Sequence, residues 1–168
     1  MDIADARFLI DHLYWMRDRV LTRADEPDVA LTDAAPATTR DLRATLVHEL
    51  DVEWSWRVRL QRDDPTAFSP DDDELDPADY PTVEAIRERW QEDEVEMRAW
   101  LAALSDTDLA APCRAERDLR HPFWHHPQHL YTHGIQQLSD AATLLSRQGH
   151  SPGELDFLEF VEERVRGA

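Results

Sequence analysis

Residues 124–160, WHHPQHLYTHGIQQLSDAATLLSRQGHSPGELDFLEF, constrain the fold more than any other stretch. Leu130, His133 or Gly134, Gln137 or Leu138, Ala141, Leu144 or Leu145 and Gln148 recur every three or four residues, so they share one helical face. Up to Leu145 that face is apolar except at His133 and Gln137, one turn apart. A polar side chain on a core-facing stripe is costly unless something satisfies it. The helix spans about 127–148, and Gly149 suits the left-handed position just past its end. SPGE at 151–154 reads as a capping box with Pro at the first helical position, and Leu155, Leu158, Val161 and Val165 give a short last helix its inward side.

Three more helices are expected upstream. Over residues 4–22, Leu9, Leu13, Met16 and Val20 form a stripe flanked by Tyr14 and Trp15. Residues 24–36 are polar and carry Pro27 and Pro36, which marks a loop. The second helix runs over 38–62 with Thr38 or Thr39 as its N-cap. His48 lies midway along it, on a narrow face with Ala44, Val52 and Ser55, where small neighbours leave room around the ring. Residues 63–81 are rich in Pro and Asp, lack periodicity and fit no EF-hand loop, so they read as a solvated crossover. The third helix spans 82–104 behind Thr82, with Val83, Ile86, Trp90, Met97, Leu101 and Leu104 inward. Asp93 or Glu94 falls on that stripe, either at its edge or facing something positive, and is a candidate partner for the polar site. Residues 105–124 look irregular, with a short strand over 114–119. The sum is an all-α chain of 168 residues, expected to fold as one bundle domain over 1–168.

Composition excludes several functions. A formal charge of −18 argues against nucleic acid and against anionic membrane surfaces, both of which need a basic face. No apolar run is long enough to span a bilayer, and the first residues do not resemble a signal peptide. A soluble cytoplasmic protein is the expectation. The single cysteine, Cys113, forms no internal disulfide and sits between Pro112 and Arg114, a poor setting for a nucleophile.

His48, His133 and Gln137 carry the sharpest hypothesis. Two donors at i and i+4 on one helix and a third from a facing helix can converge on one ion and leave a coordination position open. Neutral imidazole suits zinc, nickel or ferrous iron. Core histidines and a glutamine that merely bond one another are the plainer alternative.

Four segments in order resemble the DinB-like (DinB/YfiT-type) family. They are RATLVHELDVEWSW around His48, the third helix with VEAIRERW and WLAALSDTDL, the run from Trp124 through His129 and His133, and the terminal GHSPGELDFLEF. The resemblance implies a four-helix bundle of up-down-down-up course with a short extra C-terminal helix, and a homodimer. It also implies a divalent ion, zinc or nickel, on three histidines whose positions here are His48, His133 and Gln137. For activity it implies metal-dependent transfer of a small-molecule thiol, or hydrolysis. The sequence departs from the family at Gln137, where an amide oxygen replaces imidazole. Three outcomes follow from that departure. The ion is held weakly by the same trio, or His129, His126 or an acid of the third helix joins instead, or the metal is gone. The last makes the chain a non-catalytic, stress-associated bundle protein. Among the remaining histidines, His121, His125 and His126 are expected at the surface or the mouth of the site.

Overall fold

The computed structural model describes residues 1–62, 74–113 and 121–167. These contain six α-helices: α1 (Ile3–Ala24), α2 (Leu42–Arg62), α3 (Val83–Ala103), α4 (Asp106–Ala110), α5 (His125–Arg147) and α6 (Phe157–Gly167), with a 3-10 turn at Pro77–Asp79. Among the described residues the only extended pairing is an isolated antiparallel bridge between Pro112 and Pro122. No helix among them is long and apolar enough to cross a membrane. The expected strand at 114–119 and most of the expected crossover lie outside the described residues.

Local chemistry sets most helix ends. Asp2 and Asp5 cap α1 reciprocally, each side chain accepting from the other's backbone N–H. Thr82 caps α3, accepting from the Ala85 N–H at 3.2 Å. Gly149, at φ +88°, ends α5; its N–H bonds Ser146 O and the His150 N–H bonds Leu145 O.

Four expectations are corrected, two of them boundaries. Helix α2 begins at Leu42, not 38, because the Asp41 carboxylate accepts from the Ala44 N–H at 2.8 Å and caps it there. Helix α6 begins at Phe157, because Gly153 at φ +82° breaks SPGE out of helical geometry and Asp156 caps the Leu158 N–H at 2.8 Å. Its inward side is not the aliphatic one: Leu158 and Val165 are exposed, while Phe160 is buried. Phe157 and Phe160 pack on Phe8 and His12 of α1 instead. The stretch after α3 also holds one short helix, α4, with a Ser105–Asp108 capping box.

The four long helices pack so that α1 and α2 each contact both α3 and α5. Their inward leucines, with Ile10, Met16, Val20, Ile86, Trp90 and Met97, form one apolar core. The contact of α2 with α5 positions the site, because it brings His48 against His133.

Candidate metal centre

The two histidines come together. His48 on α2 and His133 on α5 have ring centroids 5.2 Å apart at an interplanar angle of 68°. Imidazoles sharing one tetrahedral ion, with metal–nitrogen bonds of about 2.0–2.1 Å, have centroids about 5 Å apart, so the observed spacing fits a common ion. Both rings are held neutral. Partial burial, then the Arg40 guanidinium and His133, push His48 down to about 4. Burial, then Arg40, lowers His133 as well. A neutral imidazole offers the lone pair that a metal needs.

Gln137 is buried, 6 % exposed, one turn beyond His133. Among the described residues no hydrogen bond joins its amide to either ring. Two carboxylates lie beside His48: Asp51 and Glu74 each bring one carboxylate oxygen within 4.8 Å of a ring nitrogen of His48 and of each other. Asp51 also accepts from the Leu75 N–H at 3.0 Å, which fixes the chain beyond the crossover against α2. His48 with these two carboxylates, and His133 beside it, offer nitrogen and oxygen donors of the kind a divalent transition ion takes.

The remaining histidines extend this patch. His129 lies one turn before His133, with ring centroids 5.8 Å apart, and is exposed. Trp56 of α2 packs on both His129 and His126, at 5.5 and 5.0 Å. His126 was expected at the surface and is instead buried, 4 % exposed, beneath Trp56 and His121. His125 is exposed and stacks on His121 at 5.0 Å. The acids of α3 go elsewhere. Asp93 pairs with Arg57, both buried, and Glu94 bonds the buried Arg17 at 2.5 Å, so of the two alternatives both acids face a positive partner, and no ion pair or hydrogen bond among the described residues joins either to the histidines.

Behind His133 the core is unexpectedly polar. Glu49, next to His48 in sequence, is fully buried, and its Oε2 lies 2.7 Å from His133 Nδ1. One proton lies between those two atoms, whichever formally carries it. Glu53, one turn on, is 1 % exposed and accepts from Trp90 Nε1 at 3.2 Å. Burial pushes both carboxyls well above the ordinary range, and for Glu53 the neighbouring Glu49 adds to the effect. Burial likewise raises Tyr14, whose ring lies 4.4 Å from the Arg17 guanidinium. Among the described residues, Tyr14 OH, Arg17 Nη1 and Asp93 Oδ2 are buried without a hydrogen-bond partner. Unpaired buried polar atoms are rare and expensive, so this layer is retained against a stability cost. Glu49 and Glu53 were not singled out in the sequence. The signal was there: with Leu42, Leu46 and Leu60 they continue one inward stripe at steps of three, four and seven residues.

A large hollow on the surface is lined by Leu60, Trp100, Leu104, Pro112 and Phe123, and includes none of His48, His133 or Gln137. That hollow is separate from the histidine pair. No curated protein matches the chain. An all-helical fold with a neutral histidine from α2 against one from α5 agrees with the match of a family model to residues 6–141, and the chain belongs to the DinB superfamily.

Proposed function

We propose that the chain binds one divalent ion, zinc or nickel, between His48 and His133, with Gln137 completing the family's trio. The reading carries with it an up-down-down-up bundle as a single domain and a homodimer. The observation that supports it most is the 5.2 Å ring spacing of two neutral imidazoles on facing helices. An ion there would lower the pKa of a thiol or water in its open position and so supply a nucleophile near neutral pH. The chain's own residues bind and orient. His48 and His133 present nitrogens from two helices, Trp56 walls the side toward His129, and the Arg40 guanidinium adds positive charge near both rings. The reaction class is transfer of a small thiol, or hydrolysis.

A second reading is a bundle that binds metal weakly or not at all and catalyses nothing. Gln137 favours it, because an amide oxygen is a poorer ligand than imidazole for zinc or nickel. Thermal melts of untagged protein with and without zinc or nickel separate the two. The enzyme reading expects a rise of several degrees that disappears in His48→Ala and in His133→Ala, together with metal-dependent consumption of a small thiol. Unchanged melts in wild-type protein would leave the second reading standing.

A further inference from the structure

We infer that Glu49 is a positioning residue, which grips His133 through Nδ1 and leaves Nε2 as the working nitrogen of the site. The inference rests on the metal reading for what Nε2 binds, but the grip on the ring stands on geometry alone. The Nδ1–Oε2 separation is 2.7 Å, and the carboxyl is fully buried. Water therefore does not compete for this bond, and the ring cannot turn without leaving a buried carboxyl unpaired.

Helix geometry explains how one short segment supplies both parts. Consecutive helical residues point about 100° apart, so His48 faces the mouth while Glu49 turns inward toward α5. The carboxyl then needs space against α5, and Gly134, the residue after His133, provides it. A Cβ at Gly134 would stand 2.5 Å from Glu49 Oε1 and 2.5 Å from Leu13 Cδ1. Leu13 is itself fully buried, so neither neighbour has room to retreat. Glycine at 134, glutamate at 49 and histidine at 133 thus form one arrangement. A glutamate at this depth contributes nothing to packing that a leucine would not, and it costs desolvation. Orientation of His133 is what it adds.

A ring with a ligand on Nε2 carries its remaining proton on Nδ1, where a carboxylate partner holds the tautomer and raises the basicity of the other nitrogen. Loss of such a partner typically weakens metal binding by roughly 10- to 100-fold.

The test uses the full chain as wild type, Glu49→Gln and Glu49→Leu, with far-ultraviolet circular dichroism to verify helicity. In metal-free protein, nuclear magnetic resonance should find an exchange-protected downfield proton belonging to the His133–Glu49 pair, absent in Glu49→Leu. In zinc-loaded wild type, nitrogen-15 shifts should show His133 ligating through Nε2 and protonated at Nδ1. Zinc competition against a chromogenic chelator should give affinities about 10- to 100-fold weaker in both variants. A wild-type spectrum without the protected proton would overturn the grip and needs no variant to fold. Ligation through Nδ1, or variant affinities within about twofold of wild type, would overturn the role. If wild-type protein binds no zinc while the protected proton is present, the metal reading fails and the positioning of the ring by Glu49 survives.

Discussion

Gly134→Ala separates a helix that merely tolerates glycine from one that requires it. In an exposed helix interior this substitution stabilises by about 1 kcal/mol, because alanine has the higher helix propensity. Here the added methyl meets Glu49 Oε1 and Leu13 Cδ1 at 2.5 Å and Leu13 Cδ2 at 2.8 Å, well inside van der Waals contact. Overpacking of this kind costs about 1–3 kcal/mol, and displacing the Glu49 carboxyl from His133 adds about 1–2 kcal/mol for the buried hydrogen bond. Less the propensity gain, the variant should be destabilised by about 1–4 kcal/mol. For a chain of this size that is a fall in Tm of roughly 3–12 °C. Urea and thermal unfolding of metal-free protein measure it directly. A double-mutant cycle with Leu13→Ala should show the two losses to be sub-additive by about 0.5–3 kcal/mol, since removing the leucine makes room for the new methyl. A Tm equal to or above that of wild type would refute the close approach of α2 and α5 at this point, and with it the placement of Glu49.

Other consequences can be checked alongside. His48 titrates near 4 in the folded protein against 6.5 when unfolded, so folding disfavours its protonation. Its contribution is present above about pH 6.5 and is lost as pH falls from there toward 4; metal-free stability followed by urea unfolding should decline across that window, and less so in His48→Gln. Glu53 has the opposite sign. Its folded pKa is raised, so its contribution is present below 4.5 and lost as pH rises. Glu53→Gln should therefore gain stability relative to wild type as pH increases, which thermal melts at pH 5 and pH 8 would reveal. Asp93→Ala strands the buried Arg57 and should cost about 3–5 kcal/mol in chemical unfolding. Gln137→His supplies the missing imidazole and should tighten zinc binding by at least tenfold in a chelator competition; unchanged affinity would mean that position 137 does not face the ion.

The helices were legible in the sequence because their apolar residues recur at three and four, and α5 most of all. His133 and Gln137 stood out there because they interrupt an otherwise apolar stripe, and His48 because small residues surround it. Glu49 and Glu53 escaped notice because an acid is ordinarily read as marking the solvent face. The stripe of Leu42, Leu46 and Leu60 points Glu49 inward, but what accommodates a carboxyl there, the partner on α5 and the absence of a Cβ at Gly134, is not a local property. The α2 start was misplaced for a related reason: Thr38, Thr39 and Asp41 are all competent caps, and the choice of Asp41 goes with the bond from the Arg43 N–H to Leu31 O that ties the preceding loop to the first turn. Pro122 and Pro127 suggest a broken approach that would leave His126 at the surface or the mouth of the site, whereas Trp56 from α2 covers it.

The central claim is that His48 and His133 share one divalent ion. Metal analysis by inductively coupled plasma mass spectrometry, on untagged protein equilibrated with zinc and then desalted, tests it most directly. The account predicts close to one equivalent per chain in wild type and a loss of most of it in His48→Ala. Less than about a tenth of an equivalent in wild type, or the same content in the variant, would contradict it.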